Sequence, residues 1–305
     1  MRLYIDPSVG FDFFWPNHIV AVALQSVCST PVELVTENKC DLAISGPYTN
    51  IPNTGLYSRA KEKIKKQFAR KTQPLRLELS MENTRPDWSK HDFCIGSDLA
   101  ISSPDYHRFT YWQVILAWPQ LKERGVTYSR FGHLLEIERL LQPLGSAFLS
   151  RNRQAIILCG HLTEPRASLM DAVGKQVRID GFGTAFGKSK HHNKSGFKKI
   201  EKLSEYSFNL CPENGLHPGY YTEKIPESFY AGCLPLTWTD PMVSHDFNPD
   251  AFVNFFDGSS EGFESIAERL HDDRLLEGFA DQPLLRERPS VEPLYEFLER
   301  VVAAI

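Results

Sequence analysis

Two hydrophobic patterns alternate along the chain. Short apolar runs, several of them alternating with polar residues, predict strands. Stretches whose apolar positions recur three and four residues apart predict helices. RLYID at the start reads as a strand, and Asn17 to Val27 as a buried helix. VELVT and CDLAIS read as strands, and residues 58 to 71 as a basic amphipathic helix. LRLEL reads as a strand leading into the polar loop SMENTRPD, with FCIGSDLAIS and the aromatic run YHRFTYWQVILAW after it. These elements predict a first α/β domain over residues 1–145.

RFGHLLEIERLLQPLG (Arg130 to Gly145) has helical periodicity, ends at Pro and Gly, and is the expected interdomain connection. A second series follows: strand AIILCG, helix EPRASLMDAVGK, strand QVRIDG, helix GFKKIEKLSEY, strand SFNLCPEN, helix TEKIPESFYAG and strand LPLTW. AFVNFFD and EGFESIAERLHDD complete it. Regular alternation predicts parallel βαβ units over residues 146–290, with residues 291–305 as a short helix packing back on the body. Two such domains face to face make a cleft at the carboxyl ends of their strands, where ligands of open α/β sheets bind.

Composition narrows the functions. A formal net charge of -4 argues against a general nucleic-acid or anionic-membrane binder. Basic residues cluster at Arg59 to Lys71 and at Lys188 to Lys199, which read as solvated surfaces or as attractors of an anionic substrate or a membrane surface. The six cysteines lack any CxxC pair and read as buried small hydrophobes of a reduced compartment. Neither a signal peptide nor a membrane span is visible, so the expected location is the cytoplasm, with weak peripheral association at the inner face of the membrane left open.

The candidate chemistry lies in PENGLHPGYYTEKIPESFYAGCLPLTW (Pro212 to Trp238). Thr222 reads as the N-cap of a helix whose first turn holds Glu223 and Lys224. Free N–H groups and Lys224 can hold a phosphate, and Glu223 can accept from a ribose diol. Tyr220 or Tyr221 can stack on a nucleobase, worth roughly 1–3 kcal/mol. Arg166, near the start of the first helix of the second series, adds a bidentate donor for a pyrophosphate. The bland alternative is a capped surface helix with exposed charges. GFGTAFG (Gly181 to Gly187) lacks the dinucleotide spacing and reads as a turn, and the pair His133 and Glu136 as a helix-surface coincidence. Asp-x-Asp, the usual carboxylate pair holding a divalent cation under a sugar nucleotide, is absent, so neutralising a diphosphate would fall to Arg166, Lys224 and the helix N-terminus.

FNLCPEN…YYTEKIPESFYAGCLPLTW resembles the donor-binding signature of the family 10 α-1,3/1,4-fucosyltransferases, bacterial members included, and DPMVSHDFNPDAFVNFFD resembles its continuation. The resemblance implies a GT-B fold, two Rossmann-like domains facing across a cleft, the first taking a glycan acceptor and the second GDP-fucose. It implies inversion at the anomeric carbon, no tightly bound cofactor and no metal in the site. It places Glu223 on the ribose, Lys224 on the phosphates, Tyr220 and Asn214 among the nucleotide contacts, and Arg166 on the diphosphate, with the helix N-terminus at Thr222 completing the donor site. It makes Glu82, in SMENTRPDW, the general base, with Asp87 and Glu213 in reserve. Pro212, Gly215 and LHPG depart from the family pattern.

Three other readings stay open. One is a glycosyltransferase for another GDP-sugar, and one a non-catalytic nucleotide or glycan binder. The third, a nucleic-acid module using residues 59 to 71, fits poorly with the net charge of -4. The aromatic residues Tyr106 to Trp118 and Phe11 to Trp15 are expected in the core, or on the acceptor side.

Overall fold

The computed structural model describes residues 1–9, 15–49, 73–129, 132–187, 197–256 and 262–305. The basic segment at 59–71, most of the second basic cluster and Phe11 to Phe14 lie outside the described residues. The chain forms two compact units, residues 1–110 with 290–305 and residues 111–289.

The first unit is built on a parallel sheet of β1 (Arg2–Ile5), β2 (Glu33–Leu34), β3 (Leu42–Ser45), β4 (Leu75–Leu79), β5 (Phe93–Gly96) and β6 (Tyr106–Arg108), in the order β2-β1-β3-β4-β5-β6. β3 and β5 are buried throughout, as strands of a parallel sheet covered on both faces should be. The helix Ile19–Val27 has no polar stripe in its first two turns. All of Ile19 to Leu24 is buried, and the C-terminal helix Glu292–Ala303 packs on it. That helix buries Leu294, Phe297, Leu298 and Val301, and Phe297 meets the Phe93 ring edge-on at 6.1 Å.

The loops after β1 and β3 touch at Gly46, whose N–H donates to the Ser8 hydroxyl at 2.9 Å. A Cβ there would lie 2.0 Å from the Ser8 carbonyl oxygen, so only glycine fits.

The second unit starts at Tyr111, well before the boundary expected near Gly145. In the segment expected to be one helix, Arg130 to Gly145, the described residues are mostly not helical. A two-stranded hairpin, β7 (Tyr128–Ser129) and β8 (Gly132–His133), precedes a single turn, Ile137–Leu140. Its apolar residues are buried by backbone pairing instead, because Leu135 exchanges hydrogen bonds with Ile115 and Ala117. His133 and Glu136 therefore share no helical face: the His133 ring leans over Tyr128, and Glu136 pairs with Lys122. Of the aromatic run, Tyr106, Phe109, Tyr111, Trp112 and Trp118 are buried, which makes it core.

The main sheet of this unit is again parallel. β9 (Gln154–Leu158), β10 (Arg178–Phe182), β11 (Phe208–Leu210), β12 (Leu234–Thr237) and β13 (Val253–Asn254) stand in the order β10-β9-β11-β12-β13. The chain leaves β9 towards β10, returns past it to β11, and then moves outward. The order reverses between β9 and β11, so their following loops diverge and open a crevice at the carboxyl ends.

Candidate functional site

The residues singled out in the second unit come together at that crevice. After β11 the chain stays beside β12, with the N–H of Cys211 donating to Leu236 and that of Glu213 to Trp238. This carries the Glu213 side chain into the interior, where it is 1% exposed. The following Pro/Gly loop folds back over it. The N–H of Thr222 then donates to Oε1 of Glu213 at 2.8 Å, and the Thr222 hydroxyl lies 2.9 Å from both carboxylate oxygens. Nζ of Lys224 reaches Oε2 at 2.8 Å and the Thr222 hydroxyl oxygen at 2.7 Å. A buried carboxylate persists only when a cation and hydrogen bonds compensate its desolvation, and this one has both.

Thr222 is therefore not the N-cap. The helix is Lys224–Tyr230, preceded by Glu223 in αR conformation without a side-chain cap. The buried Glu213 carboxylate wins the Thr222 hydroxyl and N–H, and the phosphate-binding amides expected at this position are to that extent already used.

A second cluster lies beside the first. Lys199, from the helix Phe197–Leu203, sits 3.5 Å from Glu223 and also pairs with Glu227. Burial alone would raise Glu223, but Lys224 and Lys199 outweigh it and hold its pKa down to about 2. Burial dominates at Glu227, pushing it up to about 7 against the pull of Lys199. Burial would lower Lys224, but Glu213 and Glu223 more than offset it, so the ammonium stays charged.

Arg166 begins the helix Arg166–Gly174 after β9 and is 6% exposed. One guanidinium nitrogen lies 2.9 Å from His161 Nδ1, and the other donates to Oδ1 of Asn214. The Arg166–Asn214 bond joins the β9 and β11 loops, and within the β11 loop Asn214 Nδ2 lies 3.5 Å from the Tyr220 hydroxyl. Neither tyrosine offers a stacking face: Tyr220 is 3% and Tyr221 1% exposed, and Tyr221 packs against Phe247. Tyr220 reaches the site through its hydroxyl.

Arg166, Asn214, Tyr220, Thr222, Glu223 and Lys224 thus form one constellation, with His161, Lys199 and Glu227 added by the structure. It offers two cationic donors to an anion and an ionised carboxylate to hydroxyl groups. Residues 150–273, which contain it, match the family model described as "Glycosyltransferase family 10 (fucosyltransferase) C-term". The second unit is thus similar to the C-terminal part of that family.

Relatives of this domain agree. The chain is 38% identical to an alpha-(1,3)-fucosyltransferase FucT of Helicobacter pylori over 92 residues, 30% of this chain and 19% of that protein. It is 29% identical to mouse alpha-(1,3)-fucosyltransferase 7 over 143 residues, 44% of this chain and 36% of that protein. The chain thus spans well under half the length of these relatives. A crystal structure of an alpha1,3-fucosyltransferase with GDP-fucose matches with a TM-score of 0.69 at 19% identity, covering 99% of this chain and 90% of that one. That likeness shows the fold, GT-B, with two parallel-sheet α/β domains.

The remaining candidates differ from one another. Glu82 is exposed on the loop after β4, in the first unit. Asp87, on the same loop, accepts from the Ser89 hydroxyl and N–H and pairs with Lys90, which together hold its carboxyl below the usual range. Glu213 has both oxygens occupied in the buried cluster. The cysteines are free, with Cys40, Cys94, Cys211 and Cys233 buried. Among the described residues no helix is long and apolar enough to cross a membrane, and no group of three metal-ligating side chains occurs.

Proposed function

We propose that the chain is an inverting glycosyltransferase that moves L-fucose from GDP-β-L-fucose to the 3- or 4-hydroxyl of a GlcNAc- or Glc-type residue of a glycan. The observation that carries this is the convergence of Arg166, Asn214, Glu223 and Lys224 at the switch point of a domain similar to family 10. The relatives' names support the donor, since one solved relative holds GDP-fucose.

In this reading the second unit is the donor domain and the first the acceptor domain. Lys224 keeps two of its ammonium donors on Glu213 and Thr222 and gives the third to a diphosphate oxygen. Arg166, held by Asn214 and His161, gives its guanidinium to the same diphosphate. Glu223, ionised down to pH about 2, accepts from the ribose hydroxyls. The acceptor hydroxyl attacks the anomeric carbon from the face opposite GDP. The new glycosidic C–O bond forms as the bond to the phosphate oxygen breaks, the pair of electrons leaves with GDP, and the hydroxyl proton passes to Glu82. A diphosphate is a good leaving group once its growing charge is met, and two fixed cations meet it without a bound metal. A base is still required, and Glu82 supplies it as an exposed carboxylate on a tethered loop.

The test is a transfer assay with GDP-fucose over an acceptor array, with other GDP-sugars as competitors. Fucosylated product at one hydroxyl supports the reading. Preference for another GDP-sugar reassigns the donor, and nucleotide binding without transfer to any acceptor favours a non-catalytic binder.

A further inference from the structure

A chain of buried polar groups runs beneath the loop that carries Glu82. Ser45 ends β3, Glu78 is its register partner on β4, and His91 closes the loop before β5. His91 joins the two strands, with Nε2 2.8 Å from the Ser45 hydroxyl and Nδ1 2.9 Å from Oε2 of Glu78. Hydroxyl, imidazole and carboxylate stand at the spacing of a nucleophile, its base and the group that orients the base. Ser45 is only 1% exposed, however, so no substrate can reach its oxygen.

What the Glu78 carboxylate does reach is the loop. Its Oε2 accepts the N–H of Asp87 at 3.0 Å, and the Asp87 carbonyl lies 3.2 Å from His91 Nδ1. Cys94 lies 3.8 Å from the same carboxylate oxygen. From this anchor the loop is tied in both directions. The N–H groups of Lys90 and His91 donate to the Asp87 carbonyl, and that of Ser89 to the Asp87 carboxylate. On the other side Arg85 pairs with buried Asp98 at 3.2 Å and donates to the Thr84 carbonyl at 2.7 Å. The Thr84 and Ser80 hydroxyls meet at 2.6 Å, and the N–H of Thr84 donates to the Glu82 carbonyl at 2.8 Å. Glu82 is thus an exposed carboxylate on a loop anchored at Ser80 and Thr84 before Arg85 and at Asp87 after it.

We propose that Glu78 and His91 are positioning residues: with Ser45 they form a buried clamp that fixes the loop spanning residues 80–91 and so the place of the Glu82 carboxylate. The clamp's effect on transfer rests on Glu82 being the base; its effect on the loop does not.

The experiment compares the full chain with Glu78→Ala and Glu78→Gln. It measures hydrogen exchange of peptides covering residues 80–91, GDP affinity by calorimetry, and kcat and KM for transfer. Glu78→Ala should speed exchange across the loop and lower kcat by about 10- to 100-fold, the cost of a misplaced reacting group. KM for the donor and GDP affinity should not change, because the donor site lies in the other unit. Glu78→Gln, which keeps an acceptor for the Asp87 N–H, should recover part of both losses, and it carries the same test if Glu78→Ala does not fold. Unaltered loop exchange in either folded variant overturns the clamp. Faster exchange with unaltered kcat overturns the positioning role. If the unsubstituted chain transfers no sugar, the exchange measurement still decides the clamp, and only the transferase reading falls.

Discussion

Nζ of Lys224 lies 2.8 Å from Oε2 of Glu213, eleven residues earlier in the chain, and the carboxylate it meets is wholly buried. This pair ties together the two ends of the loop between them and sets the cation at the carboxyl end of β11. Breaking a buried pair from one side strands the other charge, at about 3–5 kcal/mol. Glu213→Ala should therefore destabilise the chain by about that much in urea unfolding. A loss below about 1 kcal/mol would show that the pair does not hold the loop, since that is the range of exposed pairs.

Glu82→Gln should abolish sugar transfer and leave GDP affinity within a few-fold, since the substitution removes a proton acceptor and no donor-site group. Asp87→Asn should retain transfer once corrected for any loosening of its loop, because that carboxylate is already engaged by Ser89 and Lys90. Rate measurements on both variants with GDP-fucose check this. Near-normal turnover in Glu82→Gln would remove Glu82 as the base.

Arg166→Ala should weaken GDP binding by about 1.5–3 kcal/mol, the worth of a hydrogen bond to a charged group. Arg166→Lys should recover only part of it, because an ammonium cannot hold Asn214 and a phosphate with the same planar fork. Calorimetric titration reads both losses, and equal affinity in all three proteins would exclude Arg166 from the site.

Much of this was legible in the sequence and some was not, for physical reasons. The second series reads directly because strands such as β11 and β12 are buried throughout, as short apolar runs in a parallel sheet should be. Residues 130–145 suggested one helix because Leu134, Leu135, Ile137 and Leu140 are buried at helical spacing, whereas among the described residues only Ile137–Leu140 is helical and Leu135 and Pro143 are bridged. Arg166 and Asn214 could be named, but not joined. They are 48 residues apart, and only the sheet order puts their strands side by side. Thr222 resembled a cap because nothing local reveals that Glu213 competes for it. Lys199 left one signal. Glu223 and Glu227 are four apart near the start of one helix, and like charges at that spacing need a cation between them.

That carboxylate pair also sets a pH dependence. Glu227 titrates at about 7 in the folded chain and near 4.3 when unfolded, so between these values the native state holds a proton that the unfolded state has lost. Stability from this group therefore falls as pH rises from about 4.3 to about 7. Glu223 has the opposite sign, and its contribution is lost only as pH falls from about 4.3 towards about 2. Urea unfolding of the unsubstituted chain and Glu227→Gln across pH 5 to 8 should show a decline that is shallower in the variant. Parallel curves would mean that Glu227 is ionised throughout.

Donor binding in this chain requires the diphosphate to lie against Arg166 and Lys224 at the switch point of the second sheet. Crystals of the full chain soaked with GDP test this most directly. The predicted result is phosphate oxygens within hydrogen-bonding distance of Lys224 Nζ and the Arg166 guanidinium, with the ribose hydroxyls on Glu223. Guanosine diphosphate bound away from both cations would contradict it.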